Sequence, residues 1–207
     1  MEEYIIYVTD TETTGLKPGI NEIIEVSSLR LCLNEDFKVE QKNWLIRATN
    51  PSTVEDEALA VSGHKREDIL HLTQYGRDNY INPLDFIPEY EAWVSTDDMS
   101  THDRVFCGQN PTFDFDHMTC LWKKHNALDS FPFLTGHNAL IQDTKTLALT
   151  FDIAFGRKRE KYNLGSLVKA FGAKKEKAHR ADADVRMTTD LFLKMISPMR
   201  DLKNQFE

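Results

Sequence analysis

Cysteine is scarce in this chain: Cys32, Cys107 and Cys120 are the three among 207 residues. An odd number with no Cys-x-x-Cys pair argues against a disulfide framework and against zinc. Cys32 and Cys107 lie in apolar, strand-like runs and Cys120 in a helical one. All three read as reduced core thiols of a cytoplasmic protein. Positive charge is also in short supply, with 25 Lys and Arg against 33 Asp and Glu, a net charge of −8. That balance argues against a nonspecific, high-affinity nucleic-acid coat. It leaves room for an enzyme that touches a few nucleotides through metal ions, since acids in a metal site are neutralised there. No run approaches the length of a membrane span, so no membrane partner is expected. The N-terminus lacks the basic-then-apolar layout of a secretion signal. Repeats, low-complexity tracts and linkers are absent too, and 1–207 reads as one α/β domain.

What is present is concentrated near the start, in Ile5-Ile6-Tyr7-Val8-Thr9-Asp10-Thr11-Glu12-Thr13-Thr14-Gly15-Leu16. Its apolar and β-branched beginning predicts a strand buried on both faces. Residues two apart on an extended chain share a face, so Asp10 and Glu12 emerge side by side at the strand end. Gly15 then turns the chain away. Two carboxylates on one rigid strand repel each other unless a cation lies between them, and they suit a hard divalent ion. Alone, Asp-x-Glu is equally an acidic strand end in a loop.

Along the rest of the chain, strands are expected at 3–9, 21–33 and 37–47, with a hairpin turn at Asn34-Glu35-Asp36. Together they form an antiparallel meander. A short helix follows at 55–61, then a polar stretch, 68–83, of loop and short helix. Helical periodicity covers 84–94. Arg104-Val105-Phe106-Cys107-Gly108 predicts a strand, and Pro111 opens a helix to about 126. A strand at 136–141 and helices at 145–155, 163–171 and 182–196 complete the pattern. Asn163 caps the second of these helices, Gly172 ends it, and Pro198 follows the last. A meander followed by alternating strands and helices predicts a mixed sheet with helices on its faces. Chemistry then gathers where strands end.

Two further segments bring acids to that edge. In Gly108-Gln109-Asn110-Pro111-Thr112-Phe113-Asp114-Phe115-Asp116, Asp114 falls in the first turn of a helix, where the dipole favours an anion. Asp116 lies about 200° around the helix and faces solvent. In His179-Arg180-Ala181-Asp182-Ala183-Asp184, the histidine precedes a helix and Asp184 lies in its first turn. Asp182 suits the N-cap better. Four acids (Asp10, Glu12, Asp114, Asp184) need metal, and His179 is suited to general base work near neutral pH. Each segment taken singly has a structural reading as well, as a dipole acid, a loop histidine or a helix-start acid.

The three segments resemble the three exonuclease motifs of the DnaQ-like, DEDD-type 3′–5′ exonucleases, in the subgroup with histidine in the third motif. Asp10, Glu12 and Thr13-Thr14-Gly15-Leu16 match the first. Gly108, Asn110, Phe113 and Asp114 match the second, and His179, Ala181 and Asp184 the third. Asp143-Thr144 and Asn163-Leu164-x-x-Leu167 fit the family pattern between them. Thr-Glu-Thr-Thr-Gly-Leu is most similar to the proofreading epsilon subunit of bacterial DNA polymerase III. The resemblance covers about residues 4–196. It implies an RNase H-like fold, a mixed five-stranded sheet flanked by helices. It also implies that Asp10, Glu12, Asp114 and Asp184 hold two Mg²⁺ or Mn²⁺ ions, with His179 as base. Thr13, Gly15 and Leu16 would lie against the terminal nucleotide, and Asn110 and Phe113 would flank the strand. The implied reaction is hydrolysis at a single-stranded 3′ end that releases nucleoside 5′-monophosphates.

The sequence departs from that family at Gln109, where many relatives carry histidine. It also departs in the long 65–103 stretch, with Tyr75, Tyr80, Tyr90 and Trp93. Tyr90 and Trp93 fit a helical core, whereas Tyr75 and Tyr80 read as solvated loop residues or as a stacking surface for bases. The basic run Arg157-Lys158-Arg159 with Lys161, then Lys169, Lys174, Lys175 and Lys177, could steer a phosphate backbone or be an ordinary solvated face. DNA is the expected substrate, with RNA 3′-end trimming as the alternative. A silent end-binding module and a metal-dependent phosphatase are the readings outside that class. A polymerase or other protein partner is compatible with an exonuclease of this size.

Overall fold

The structure is a computed structural model and describes residues 4–33, 39–176 and 180–201. The expected meander is β1 (Ile5–Thr13), β2 (Ile23–Cys32) and β3 (Val39–Ile46), paired antiparallel in that order. The hairpin expected at Asn34–Asp36 lies outside the described residues. After β3 come the short helices α1 (Asp56–Ser62), α2 (Arg66–Ile69) and α3 (Gln74–Asn79), then β4 (Tyr80–Ile81) and α4 (Pro83–Ser95). The chain continues through β5 (Arg104–Gly108), α5 (Thr112–Lys124), β6 (Ile141–Asp143), α6 (Thr144–Ala154), α7 (Leu164–Phe171) and α8 (Ala181–Asp201). The strands form one mixed sheet in the order β4-β3-β2-β1-β5-β6, with β4, β5 and β6 each parallel to a neighbour.

Period-2 alternation explains why β1 is apolar throughout its first half. Ile5 and Tyr7 join Trp44, Phe86, Tyr90, Trp93, Phe106 and Trp122 on the face covered by α4 and α5. Ile6 and Val8 join Leu29, Leu31, Cys107, Val185 and Phe192 on the face covered by α8. Asp10 and Glu12 continue that second face, so the start of α8 is brought over them. Gly108 lets β5 come close: a Cβ there would lie 3.1 Å from the carbonyl oxygen of Thr9. Near the opposite end of β5, Arg104 grips Asp97 through two nitrogens at 2.7 and 2.9 Å, and the Tyr7 hydroxyl donates to the same carboxylate at 2.7 Å.

Five expectations are corrected. β1 runs on to Thr13, because its pairing with β2 carries the ladder past the acids to a bulge between Glu12 and Thr13. The sheet has six strands rather than five, since Tyr80–Ile81 pairs with β3 inside the stretch that reads as loop. Tyr80 is accordingly buried, packed with Ile24, Ala48, Val54, Leu59 and Ile69, not solvated. The 136–141 segment is a single 3-10 turn over Gly136–Asn138, and the strand begins only at Ile141. Proline 198 lies within α8 instead of following it. A proline forfeits one intrahelical bond but keeps a helical φ, and Leu191, Phe192 and Met195 anchor the preceding turns. Elsewhere α7 is capped by Asn163, which accepts the Ser166 N–H at 2.9 Å, and is stopped by Gly172 at φ 67°. Among the described residues no helix is long and apolar enough to cross a membrane.

Candidate active site

The strand end delivers Asp10 and Glu12 to the α8 face, and the first turn of α8 delivers Asp184. Carboxylate oxygens of these three lie within 4.8 Å of one another. Asp114, in the first turn of α5, lines the same cavity of about 230 Å³. It is 5% exposed, and its Oδ1 accepts both the N–H and the hydroxyl of Thr11 at 2.8 Å. Asp116 is exposed on the far side of α5, as its helical position requires. Crowding shows in the protonation of the acids. Burial first, then the charges of Asp114, Glu12, Asp184 and Glu25, hold the Asp10 carboxyl well above the usual range. Glu12 is pushed up to about 8 by burial and then by Glu25, Asp184 and Asp114. Asp114 is pushed up to about 7 by burial, against the lowering effect of its two bonds from Thr11.

Such a cluster suits a hard divalent cation, because every donor is a carboxylate oxygen. Among the described residues, the two arginines at the start of α8 are engaged elsewhere. Arg180 meets Asp182 at 3.2 Å, and Arg186 meets Glu176 at 2.7 Å and Asp182 at 3.2 Å. Asp10, Glu12 and Asp184 could hold such an ion, with Asp114 beside them. The donor set thus fits the ions expected from the sequence.

The walls are built by turns. Asn110 adopts φ 60°, a left-handed conformation that asparagine tolerates better than most residues. Its N–H donates to Asp143 Oδ1 at 3.0 Å. Asp143 also caps α6, accepting the Lys145 N–H at 2.9 Å and the Thr146 hydroxyl at 2.8 Å. Gln109, the departure from the family pattern, donates through Nε2 to the Tyr162 carbonyl at 2.7 Å and accepts from the Thr144 hydroxyl at 2.6 Å. It therefore ties the cavity wall to α6 and to the segment before α7. Phe113 lines the cavity with its ring against that of His117, centroids 4.3 Å apart.

Thr13, Gly15 and Leu16 belong to the adjoining loop. The Thr13 hydroxyl donates to the Gly15 carbonyl at 2.7 Å. Asn21 holds the loop shut, accepting the Lys17 N–H at 2.8 Å and donating to the Thr53 carbonyl at 2.8 Å and Glu55 Oε1 at 3.1 Å. Any Cβ on Gly15 would overlap the Asn21 and Glu55 side chains. Leu16, 75% exposed, projects from the loop.

His179 lies outside the described residues. Asp182 is not the N-cap: α8 starts at Ala181, and the Arg180 carbonyl accepts the N–H groups of Ala183 and Asp184 at 3.0 and 2.9 Å. The helix begins early because Ala181 and Ala183 are small enough to pack, buried, against the sheet. Asp182 turns instead to Arg180 and Arg186, away from the acid cluster.

No protein-family model matches the chain. PolC-type DNA polymerase III of Staphylococcus aureus (strain bovine RF122) is 26% identical over 204 residues, which is 96% of this chain and 12% of that protein. The Thermotoga maritima PolC-type enzyme is 26% identical over 196 residues, 94% of this chain and 12% of that protein. Escherichia coli exonuclease I in complex with a dT13 oligonucleotide superposes with a TM-score of 0.71 at 18% identity, over 96% of this chain and 43% of that chain. Its zinc-bound complex with single-stranded DNA gives 0.75 at 16%, over 99% and 42%. The chain is homologous to PolC-type DNA polymerase III and has the exonuclease I fold. The likeness to DnaQ-like exonucleases read from three motifs is therefore borne out, as is the RNase H-like α/β fold. The chain spans 12% of the length of its polymerase relatives.

Two features stand apart from the motifs. Arg159 serves the fold: it pairs with Asp152 at 2.6 Å and lies over the Phe171 ring at 4.8 Å. Glu25, buried on β2, is an acid next to the site that the motif reading did not single out. Its signal in the sequence was a single glutamate inside the apolar run Ile23-Ile24-Glu25-Val26, opposite Glu12 once the hairpin register is known.

Proposed function

We propose that the protein is a metal-dependent 3′–5′ exonuclease that removes nucleoside 5′-monophosphates from single-stranded DNA ends in the cytoplasm. The observation that carries this reading is the convergence of Asp10, Glu12 and Asp184 oxygens within 4.8 Å, in a cavity also lined by Asp114, Asn110 and Phe113. The DNA-bound exonuclease I structures and the polymerase relatives support DNA as substrate. Asp10, Glu12, Asp114 and Asp184 are the residues that would hold two Mg²⁺ or Mn²⁺ ions. The chemistry such ions supply is neutralisation of the phosphodiester, a lowered pKa for the attacking water and stabilisation of the leaving oxygen. His179 would serve as the base that accepts a proton from the attacking water. Leu16 lies against the terminal base, with Thr13 and Gly15 shaping the loop behind it. Asn110 and Phe113 flank the strand. The PolC-type relatives favour a polymerase as protein partner and proofreading as the task.

The test is a time course on matched 5′-labelled single-stranded DNA and RNA in one tube, with Mn²⁺ or with chelator. Stepwise 3′ shortening of DNA, lost in chelator, is the expected result. Shortening of RNA alone moves the protein to RNA trimming. Cleavage of neither strand, with hydrolysis of a simple phosphomonoester, replaces the exonuclease reading by a phosphatase one.

A further inference from the structure

Glu25 stands directly opposite Glu12 in the β1–β2 pairing. Directly opposed residues share a face with Cβ atoms about 5 Å apart, and like charges so placed destabilise a sheet. Glu25 is only 4% exposed, and burying an acid carries its own cost. A glutamine of the same shape would relieve both, yet the chain places an acid here. The far side of the side chain is tightly held. Glu25 Oε2 lies 2.8 Å from His64 Nε2, and His64 Nδ1 lies 2.6 Å from the Tyr80 hydroxyl. With the Tyr80 hydroxyl donating to Nδ1, the imidazole presents an N–H at Nε2 to the carboxylate. Phenol, imidazole and carboxylate thus form a chain above the row Glu12, Glu25, Leu45 and Tyr80, which crosses four strands in register.

We propose that Glu25 is a fifth acid of the cation site, a positioning residue that strengthens cation binding through its charge on Glu12 and Asp10, and that His64 and Tyr80 clamp it there. The charge of Glu25 is among those raising both carboxyls, so the cluster already feels it. This rests on the cation-binding reading of Asp10, Glu12 and Asp184. A tie between β2, the turn after α1 and β4 is the competing role, and the two differ in what they do to metal affinity.

The experiment is Mn²⁺ titration of the substrate-free chain, following the hydrated-ion signal by electron paramagnetic resonance, with thermal melts in chelator alongside. Glu25→Gln is expected to weaken Mn²⁺ binding about 10- to 100-fold, the range seen when groups supporting metal ligands are lost. Its melting temperature in chelator should rise, because a repelling charge is gone. Glu25→Asp should recover part of the affinity, which a shape effect would not allow. Unchanged Mn²⁺ affinity in a folded Glu25→Gln protein overturns the proposal and leaves the cation site standing. A wild-type chain that binds no Mn²⁺ overturns the cation site itself. If Glu25→Gln does not fold, Tyr80→Phe decides. Weaker Mn²⁺ binding in that variant supports the clamp, and unchanged binding overturns it.

Discussion

Thr11 binds Asp114 twice, its backbone N–H and its hydroxyl each 2.8 Å from the same carboxylate oxygen. Because Thr11 sits between Asp10 and Glu12, this contact locks the first turn of α5 to the strand that carries the other acids. Thr11→Val keeps the branched shape and the N–H but removes the hydroxyl. Hydrogen bonds to charged groups contribute about 1.5–3 kcal/mol, and the retained N–H puts the expected loss near the lower end. Urea denaturation measures it. The same variant should lose turnover at fixed Mn²⁺, since Asp114 is then held by one bond.

The acid cluster sets a pH dependence of unusual sign. Asp10, Glu12 and Asp114 all have carboxyl groups raised by folding, Glu12 to about 8 and Asp114 to about 7. A raised carboxyl contributes stability that is fully present below its unfolded value, near 4, and is lost as pH rises through the folded value. In chelator the melting temperature should therefore fall between about pH 5 and pH 8, where most proteins are near their plateau. The loss is on the order of 2 kcal/mol, water screening the partly buried Glu12. Added Mn²⁺ should abolish the decline. A melting temperature that stays level across this window in chelator would contradict the crowding.

The two acids at the start of α8 should separate cleanly. Asp184→Ala removes a carboxylate from the cluster and is expected to abolish turnover while leaving the fold intact. Asp182→Ala removes a partner of Arg180 and Arg186, two partly exposed pairs worth about 0–1 kcal/mol. It should keep most of the activity. Steady-state rates on a labelled oligonucleotide compare them, and equal damage from both would reverse the assignment.

Gly15 is required by space. A methyl group there overlaps Asn21 and Glu55, whose side chains close the loop carrying Leu16. Gly15→Ala should cost about 1–3 kcal/mol, the usual range for overpacking. The loop would move with it, so KM for a single strand should rise more than kcat falls. A variant with unchanged stability and KM would show that the loop yields without cost.

Much of this was legible beforehand because local rules carried it. The burial of Ile5 to Val8 on alternating faces of the sheet, the same-face placement of Asp10 and Glu12, the outward turn of Asp116 and the caps at Asn163 and Gly172 follow from backbone period and side-chain chemistry. Tyr80 and β4 were not legible, since a two-residue strand gains its identity from pairing with β3 and not from its own composition. The early start of α8 was hidden for a similar reason: Ala181 joins the helix because a small side chain packs there.

The sequence by itself determined which residues are candidates for the chemistry. Acid, amide and aromatic types at motif spacing persist whatever the packing does. Only the tertiary structure decided how those residues are held. Thr11 anchoring Asp114, Asp143 fixing the Asn110 turn, Asp182 drawn off to Arg180 and Arg186, and Glu25 set against Glu12 are all contacts between segments distant in the chain, save the Asp182 pairs. Long-range contacts depend on strand register and helix placement, and those are settled by burial of the whole core rather than by any local run of residues.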